Sequence, residues 1–593
     1  MTRRASPLRL APVLALPLLL LACGREAPSG TVAGFPDDWL YPHDVTPVLA
    51  DNGMVVSTDS IASTVGVEIL KAGGNAVDAA VATGFVLAVV NPEAGNIGGG
   101  GFMVLRMADG NAYALDYREK APAAATRDMY LDAQGNLTDA SVVGHLASGV
   151  PGSVAGLWAA HQRFGLLPWA DVVQPAIDLA QGFPLHRRLA GGLDYSREAL
   201  SRFPATAAQF LPGGAPPALG APFAQPDLAR TLTRIRDQGP DGFYRGETAD
   251  LIVAEMERGG GIITHEDLAA YEPAWREPIG FTYRGFSLLS MPPSSSGGAT
   301  LAEIANLVEP YDLRASGWHS PEALHVYIEA ARRAFSDRNE YLADPDFVEM
   351  PLERLTSKAY ATERGADISL ARATPSSAVG PGLGPAQRGT QTTHYSVVDA
   401  NGNAVATTTT INSWYGSGVT VAGAGFLLNN EMDDFAAKPG TPNQFGLVQG
   451  ENNAIEPGKR MLSAMTPTLV LDPDGRLFLV TGTPGGSTII TTVFQMISNV
   501  IDHGMNVAQA VNAPRVHHQH LPDVVVYEHG GLTAETVAAL EALGHRLQER
   551  EAGETDAYFS GGVSGDVQAI LVGPTGALQG WSDPRRGGRA VGW

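Results

Sequence analysis

The sequence predicts a mixed fold, in which helices and strands share one large interior. The chain has 593 residues, of which 44% are hydrophobic and 17% charged, so it can bury an extensive core. Its 69 glycines and 41 prolines favour many turns and close backbone contacts over coiled coils or long helical bundles. Apolar residues recur with helical spacing in some segments and alternate as in strands in others, and strand patterns are the more frequent in the second half.

The charge balance argues against a nucleic-acid partner. Asp and Glu number 62 and Lys and Arg 40, which gives a formal net charge of −22 at pH 7. No long stretch rich in Lys and Arg offsets this excess. We therefore expect small-molecule substrates rather than polyanions.

The first 22 residues have the pattern of an export signal. Three arginines precede an apolar run from Leu10 to Leu21, which is too short to span a bilayer as a mature helix. The run ends in Leu20-Leu21-Ala22-Cys23, which resembles a bacterial lipoprotein signal and contains the only cysteine of the chain. This resemblance implies removal of residues 1–22, acylation of Cys23, and a membrane-anchored protein of the periplasm or cell envelope. An ordinary secretory signal with an incidental cysteine is the alternative, and the export route and membrane leaflet stay open.

Five later segments have helical periodicity and four have strand alternation. Apolar residues three and four positions apart predict helices at residues 60–72, 75–90, 321–341, 488–502 and 533–543. Alternating apolar residues predict strands at residues 394–399, 404–410, 477–481 and 568–572. After the signal, no segment approaches ~18 uninterrupted apolar residues, so the sequence predicts no further membrane span.

Two segments rich in Pro, Gly and Ala predict exposed loops, at residues 203–226 and 372–390. The second loop ends just before Thr392-Thr393, where a strand pattern begins that continues through the turn signal Asn401-Gly402 into another strand. A flexible segment that leads into a strand beginning with two threonines has the layout of a self-cleaving precursor. On the local pattern alone, an ordinary loop before a hairpin is the more frequent arrangement.

The same junction resembles a known family. The stretch Gln391-Thr392-Thr393-His394-Tyr395-Ser396-Val397-Val398-Asp399 resembles the processing site of gamma-glutamyltransferases (gamma-glutamyltranspeptidases), which are N-terminal-nucleophile hydrolases. Between roughly residues 45 and 590, further segments resemble motifs of this family in the same order: Asn91-Pro92-Glu93-Ala94-Gly95-Asn96-Ile97-Gly98-Gly99-Gly100-Gly101-Phe102, Asp116-Tyr117-Arg118-Glu119, Met291-Pro292-Pro293, Leu428-Asn429-Asn430-Glu431-Met432-Asp433-Asp434-Phe435 and Thr483-Pro484-Gly485-Gly486-Ser487. The resemblance implies an α+β fold, a four-layer αββα sandwich in which two antiparallel sheets pack face to face between helical layers.

The resemblance also implies a division of the chain and a nucleophile. Cleavage between Gln391 and Thr392 would leave a large subunit, residues 23–391, and a small catalytic subunit, residues 392–593. A hydroxyl needs a base within hydrogen-bond reach at neutral pH, and the α-amine freed by the cut can serve because its unperturbed pKa is about 7.7 to 8. In the precursor, the same hydroxyl would attack the carbonyl of Gln391, shift the acyl group from nitrogen to oxygen, and let water release the new N-terminus.

Thr410, Gly485 and Gly486 complete the catalytic set that the resemblance implies. Thr410 would hydrogen-bond the amine of the nucleophile, although an ordinary strand threonine is the alternative. Gly485-Gly486 resembles the oxyanion hole of the family, and residues without a Cβ allow backbone N–H groups to turn toward a tetrahedral intermediate. From the sequence alone, a diglycine turn without a catalytic role is the simpler interpretation.

Substrate specificity should come from groups that bind the free amino-acid end of a glutamyl donor. The planar guanidinium of Arg118 suits a carboxylate, Glu431 and Asp434 can hold an ammonium, and Asn412 can bridge between them. Without the motifs, solvated surface pairs would be the simpler explanation of these charges.

Two positions depart from the family pattern near the expected site. Ser463 resembles a carboxylate-binding serine, but Ala464 stands where many members carry a second serine, so the carboxylate would have one donor fewer. Residues 438–450 resemble the lid loop of bacterial members, with Phe445 where some carry tyrosine. Phenylalanine can cover the site but cannot donate a hydrogen bond to a residue such as Asn412. The balance of hydrolysis and transpeptidation therefore stays open.

The function that we expect is that of a gamma-glutamyltransferase or glutathione hydrolase, which passes the gamma-glutamyl group of glutathione through Thr392 to water, an amino acid or a peptide. Alternatives are a glutaryl-type (cephalosporin) acylase of the same superfamily and a non-catalytic surface lipoprotein that binds gamma-glutamyl peptides. We expect no cofactor and no metal: His517-His518-Gln519-His520 lacks the spacing of a standard zinc site, and Gly380-Pro381-Gly382-Leu383-Gly384 lacks the strand-to-helix context of a nucleotide loop. The donor, the acceptor and the oligomeric state stay open.

Overall fold

The computed structural model describes residues 2, 34–383, 393–439, 441, 444, 451–550 and 565–593, and these residues form nineteen strands. The strands are β1 (Val48–Ala50), β2 (Met54–Ser57), β3 (Gly100–Arg106), β4 (Ala112–Asp116), β5 (Phe183–Pro184), β6 (Pro222–Phe223), β7 (Ala274–Arg276), β8 (Ile279–Tyr283), β9 (Phe286–Ser290), β10 (Thr393–Val398), β11 (Ala404–Thr410), β12 (Thr468–Leu471), β13 (Leu477–Gly482), β14 (Val516–His517), β15 (Val525–Tyr527), β16 (Leu547–Glu549), β17 (Gln568–Val572), β18 (Leu578–Ser582) and β19 (Arg589–Gly592).

The same residues form nineteen α-helices and five short 3-10 helices. The α-helices are α1 (Ser60–Lys71), α2 (Ala76–Val90), α3 (Ser153–Phe164), α4 (Trp169–Ala180), α5 (Arg187–Tyr195), α6 (Arg197–Leu200), α7 (Pro204–Phe210), α8 (Pro226–Gln238), α9 (Asp241–Tyr244), α10 (Gly246–Gly259), α11 (His265–Ala269), α12 (Gly297–Val308), α13 (Leu313–Ser316), α14 (Pro321–Tyr341), α15 (Leu352–Leu355), α16 (Lys358–Gly365), α17 (Thr488–Ile501), α18 (Val507–Asn512) and α19 (Ala534–Ala542). Among the described residues, no helix is both long and apolar enough to cross a membrane.

Two seven-stranded sheets form the centre of the molecule. The first has the strand order β19-β2-β10-β11-β3-β4-β7 and the second the order β1-β18-β17-β13-β12-β9-β8. Neighbouring strands within each of these sheets are antiparallel. Smaller sheets join β14, β15 and β16, and β5 and β6.

Apolar residues with a period of two divide the first sheet between two cores. Val55 and Val405 face a core formed with helices α1 to α4 and α8, whereas Val56 and Ala406 face the second sheet. Helices α12, α14 and α17 cover the outer face of the second sheet. The layers are therefore helix, sheet, sheet and helix, which confirms the predicted αββα sandwich.

The hairpin of β10 and β11 lies at the centre of the first sheet, between β2 and β3. Both strands are fully buried and rich in Val and Thr, whose branched side chains pack well on a pleated surface. Thr393 pairs with Thr409, and Thr410 pairs with Gly100 of β3. The start of β10, the end of β11 and the start of β3 therefore meet at one end of the sheet.

The predicted helices and strands are confirmed within one or two residues at each end, by α1, α2, α14, α17 and α19 and by β10, β11, β13 and β17. The predicted loop at residues 203–226 is wrong in part, because it contains helix α7 and strand β6. Pro204 occupies the first turn of α7, where a missing N–H costs nothing, and Phe210 is buried in the core. The described part of the loop at residues 372–390 is irregular apart from the 3-10 turn Ser376–Ala378.

Candidate active site

A buried cluster of charges lies just beyond the end of strand β4. Arg118 follows this strand by two residues, and its side chain has no exposed surface. One terminal nitrogen of its guanidinium lies 3.0 Å from Glu431 Oε2 and 3.7 Å from Glu119 Oε2, while the other bonds Asp434 Oδ2. The three carboxylates are also fully buried. One guanidinium thus faces three acids, so the cluster lacks positive charge when all four groups are ionised.

Burial shifts the pKa values of this cluster. It raises the pKa of Glu119 well above the usual range, and the nearby Glu431 raises it further. It also raises the pKa of Glu431 and of Asp434, although Arg118 opposes the rise in both. Burial by itself lowers the pKa of Arg118, but the acids outweigh it and raise that pKa, so the guanidinium stays charged. A cation that entered this cluster would stabilise the ionised carboxylates.

The contacts of its neighbours fix the orientation of Arg118. Its backbone N–H donates to Asp116 Oδ1 at 3.1 Å, and its carbonyl accepts a hydrogen bond from the hydroxyl of Tyr271 at 2.8 Å. Its Nε donates to the carbonyl of Met461 at 3.3 Å. Asp116 in turn accepts a hydrogen bond from Arg276 at 2.9 Å, which compensates its own buried charge.

Glu431 and Asp434 lie on one 3-10 turn, which two asparagines hold in place. Asn429 Oδ1 accepts from the backbone N–H of Glu431 at 3.0 Å, and Asn429 Nδ2 donates to the carbonyl of Gly98 at 2.9 Å. Asn453 Nδ2 donates to the carbonyl of Asp434 at 2.7 Å. Both ends of the acidic turn are therefore fixed to neighbouring segments, which directs the two carboxylates toward the guanidinium.

Strand β11 ends beside the acidic turn, at Thr410. The Thr410 hydroxyl accepts from the backbone N–H of Asn412 at 2.7 Å, and it is among the groups that oppose the burial-induced rise in the pKa of Glu431. Asn412 has a left-handed backbone, with φ of 70°, and its Nδ2 donates to the carbonyl of Asn430 at 2.9 Å. Its Oδ1 is buried, and within the described part of the chain no donor reaches it. This oxygen can accept a hydrogen bond from a bound ammonium.

The glycine run at residues 98–101 allows the start of β3 to approach these groups. A Cβ at Gly99 would collide with the carbonyl oxygen of Thr410, and a Cβ at Gly100 would lie 2.5 Å from Glu119 Oε2. Glycine removes both clashes and so brings the end of β11 and the Glu119 carboxylate to the same place.

Ser463 lies two residues beyond Met461, whose carbonyl accepts from Arg118. The backbone N–H of Ser463 donates to the carbonyl of Ser294 at 2.9 Å, and its Oγ accepts from the N–H of Met465 at 3.2 Å. Ala464 is completely buried in the second core. The structure thus brings the Ser463 segment next to Arg118 through Met461, and the alanine supplies no side-chain donor there.

Gly485 and Gly486 form the turn between β13 and α17, with φ of 134° and 64°. Both values lie in the region that favours glycine. The ring of His394, the second residue of β10, packs against Gly482 at the end of β13, since a Cβ there would overlap the ring. The diglycine turn therefore begins three residues from a contact with the start of β10.

Four predicted site residues lie outside the described part of the chain: Cys23, Gln391, Thr392 and Phe445. Thr393, which follows Thr392 directly, is the first residue of β10. Gln444, which precedes Phe445, accepts a hydrogen bond from the hydroxyl of Ser413 at 2.8 Å.

The histidines of the run at 517–520 form hydrogen bonds with nearby structural elements. His517 Nδ1 lies 2.8 Å from the hydroxyl of Thr491, and His518 Nε2 lies 3.3 Å from Asp523 Oδ1. His520 Nε2 lies 2.8 Å from the carbonyl of Val379. These contacts join α17 and the segment at residues 376–379 to the β14 region.

Several residues that shape the site have no role in the predictions from the sequence. Asp116, Glu119 and Asn429 stand inside the quoted motifs. Their nearness in sequence to the predicted binding residues could have indicated that they belong to the site. Asn453 belongs to no motif, and only the fold reveals its bond to the acidic turn.

Comparisons with known proteins give the following similarities. A sequence model of the family described as Gamma-glutamyltranspeptidase matches residues 62–593. The chain is 50% identical over 542 residues to the glutathione hydrolase proenzyme of Escherichia coli K12, with 91% of each chain covered. It is 48% identical over 548 residues to the glutathione hydrolase proenzyme of Pseudomonas aeruginosa, with 91% of this chain and 94% of the relative covered. Among solved structures, it resembles a cephalosporin acylase from Bacillus halodurans with a TM-score of 0.83 and 30% identity, covering 95% of this chain and 99% of that one.

Proposed function

The chain belongs to the gamma-glutamyltranspeptidase family, and we propose on that premise that it is a self-processing glutathione hydrolase and gamma-glutamyltransferase. It takes the gamma-glutamyl group of glutathione and related compounds onto Thr392 and passes it to water, an amino acid or a peptide. The active form has two parts, a large subunit at residues 23–391 and a small subunit at residues 392–593.

The nucleophile of this reaction is the hydroxyl of Thr392, with its own α-amine as the base. The antiparallel register that pairs Thr393 with Thr409 supports this role, because its continuation by one position would bring Thr392 opposite Thr410. The hydroxyl of Thr410 could then hydrogen-bond the amine. The backbone N–H groups of Gly485 and Gly486 would stabilise the oxyanion, and the contact of Gly482 with His394 supports their nearness to the start of β10.

The observation that carries the proposal is the buried cluster of one guanidinium and three carboxylates. A glutamyl group brings both an α-carboxylate for Arg118 and an α-ammonium for Glu431 and Asp434, so it adds the missing positive charge without adding net charge. In the free protein, Arg118 bonds both acids. The substrate would therefore insert its two charged groups between them, with Asn412 Oδ1 as a further acceptor and Ser463 as a donor to the carboxylate.

A glutaryl-type acylase is the competing function, since an acylase shares the fold over almost the whole chain. Its substrate would bring a carboxylate without an ammonium into a cluster that already has an excess of acids. Identity of 50% to a glutathione hydrolase, against 39% to an acylase proenzyme of Pseudomonas sp. V22, also favours the glutamyl substrate.

Export and acylation at Cys23, which would place the enzyme at a membrane of the cell envelope, remain predictions from the N-terminal pattern. The lid role of Phe445 is likewise a prediction from the sequence.

Denaturing gel electrophoresis and N-terminal sequencing of the purified protein test the proposed cleavage. The small subunit has 202 of the 593 residues, about 21 of the 62.1 kDa, and the large one has about 39 kDa before acylation. The small band should begin Thr-Thr-His-Tyr. Thr392→Ala should give one uncleaved, inactive chain, whereas the matched variant Thr393→Ala should still split. A cleaved Thr392→Ala product, or another first residue, would contradict the nucleophile assignment.

A further inference from the structure

A second buried ion cluster lies beside the diglycine turn, separate from the cluster of Arg118, Glu119, Glu431 and Asp434, which we call the receptor. Arg188, the second residue of α5, donates from Nε to Glu93 Oε1 at 2.9 Å, and one of its terminal nitrogens lies 3.9 Å from Asp566 Oδ2. The side chains of Arg188, Glu93 and Asp566 are 9%, 4% and 1% exposed. Glu93 stands inside the quoted motif at residues 91–102, and neither Arg188 nor Asp566 belongs to any quoted motif.

The guanidinium of Arg188 joins segments that are distant in sequence. The same terminal nitrogen donates to the carbonyl of Thr58 at 2.7 Å and to the carbonyl of Arg586 at 3.3 Å. The Thr58 hydroxyl in turn bonds the carboxylate of Asp566. The carbonyl of Glu93 accepts from the N–H of Tyr415 at 3.0 Å, three residues after Asn412.

Asp566 connects this cluster to the diglycine turn. Its backbone N–H donates to Thr483 Oγ1 at 2.8 Å, and that hydroxyl donates to the carbonyl of Pro484 at 2.8 Å. Gly565 packs directly against the turn, since a Cβ at Gly485 would lie 3.1 Å from the Gly565 Cα. The orientation of the peptide units at 484–486 thus depends on where Asp566 stands.

The positive charge of Arg188 helps to fix the position of Asp566. Its carboxylate and that of Glu93 are both buried, and Arg188 is the cation that bonds Glu93 and lies nearest Asp566 among the described ion pairs. Removing the guanidinium would leave two buried acids without this partner. Asp566 would keep its hydrogen bonds from Thr58 and Gln568 but lose its nearest cation, and we expect the segment at residues 565–568 to shift. Lysine would carry the charge but could not bond Glu93 and Thr58 with one planar group.

We propose that Arg188 is a positioning residue of the reaction, which, with Glu93 and Asp566, holds the Gly485–Gly486 turn in the orientation that accepts the developing oxyanion. The inference rests on the proposed function of that turn. Because an oxyanion forms only as the carbonyl is attacked, the turn acts mainly on the transition state. Loss of Arg188 should therefore lower kcat and leave KM and the binding of ground-state ligands nearly unchanged.

The test compares Arg188→Met with Arg187→Met, which removes an exposed arginine at the preceding position of the same helix. Each processed variant is assayed with a gamma-glutamyl anilide, with L-glutamate as a ground-state inhibitor, and with a boronic acid analogue of glutamate, whose boron becomes tetrahedral when a hydroxyl adds to it. For Arg188→Met we expect kcat and boronate affinity to fall together by about tenfold to a hundredfold, because the turn is displaced rather than deleted. The glutamate inhibition constant and KM should stay within about twofold, and Arg187→Met should match the wild type.

Unchanged kcat in Arg188→Met, or equal losses for boronate and glutamate, would overturn the positioning role. If Arg188→Met does not fold or does not self-cleave, the pair Thr483→Val and Thr483→Ser decides, because only serine keeps the acceptor for the Asp566 N–H. The valine variant should then show the selective loss and the serine variant should recover most of it. Inactivity of the wild type toward the anilide would refute the proposed function and with it this inference, whereas an active wild type with unchanged kcat in Arg188→Met would refute the inference alone.

Discussion

Removal of the α-ammonium from the substrate tests the buried receptor most directly. Gamma-glutamyl and glutaryl anilides differ only in that group, so the comparison leaves the scissile bond and the leaving group unchanged. In the receptor, Glu431 Oε2 lies 3.0 Å from Arg118 and Asp434 bonds the same guanidinium, and none of the three side chains is exposed. A substrate carboxylate that binds the guanidinium weakens the contacts of Arg118 with Glu431 and Asp434. Only the substrate ammonium can then compensate these two carboxylates.

The size of the preference follows from these contacts. A hydrogen bond to a charged group contributes about 1.5 to 3 kcal/mol, and glutaryl would forfeit one such bond and add a negative charge to a cluster with excess acids. A loss of about 3 kcal/mol corresponds to roughly two decades of kcat/KM in favour of the glutamyl anilide. The loss should not be much larger than this. In the free protein Arg118 already compensates Glu431 and Asp434, so these carboxylates are not left wholly unpaired.

The assay is the release of anilide from both substrates by wild type, Asp434→Asn and Asp433→Asn. Asp434→Asn keeps the shape but removes one charge from the receptor, so it should narrow the preference by about a decade. Asp433 is the adjacent residue on the same turn, and its Oδ1 accepts from the hydroxyl of Ser141 at 2.8 Å, away from Arg118. Its variant should keep most of the preference. Equal rates for both anilides in the wild type, or faster glutaryl release, would refute the receptor and favour the acylase.

Three further outcomes are expected. Thr392→Ser should still self-cleave, but more slowly than the wild type in a time course on denaturing gels, because serine is less restricted at χ1. Burial lowers the pKa of His394 to about 3, and it lowers those of other buried histidines in the same way. These folded-state pKa values lie below the unfolded value of about 6.5, so the unfolded chain binds more protons in this range. The contribution of these histidines to the free energy of unfolding should therefore be fully present above about pH 6.5 and decrease toward pH 4. Chemical denaturation at pH 7.5, 6 and 5 measures this decrease. The decrease should be smaller in His394→Gln, and a free energy of unfolding that does not change with pH would contradict the prediction. Cys23→Ser should abolish fatty-acid labelling of the large subunit and release it from membranes, whereas labelling of the variant would place the lipid elsewhere.

The sequence predicted most of the fold because its periodic segments are long and fully buried. Helix α2 is buried along all fifteen residues, and strands β10 and β11 along their whole length. The region at residues 203–226 was harder, because proline and alanine are compatible with both a loop and a first helical turn. Burial of Phe210 against distant residues selects the helix, and no local signal contains that information.

Site residues were predictable where a motif named them, but their partners were not. Arg118 and Asp434 are 316 positions apart, and the sequence suggests that one binds carboxylate and the other ammonium. It does not reveal that the two bond each other in the free protein, nor that Glu119 stands beside them as a third acid. These facts depend on how the strand β4 end and the acidic turn pack together, which only the tertiary structure determines.

The order of strands explains how a chain cut at Thr392 would remain one enzyme. In the first sheet, β10 and β11 are flanked by β2 on one side and β3 on the other, and β19 at the edge pairs with β2. Strands from before and after the proposed cut therefore alternate, and neither part can complete the sheet alone. The receptor crosses the same division, since Arg118 precedes the cut and Glu431 and Asp434 follow it. Because removing one partner of a buried ion pair leaves the other charge uncompensated, the charges that would select the substrate would also oppose separation of the two proposed parts.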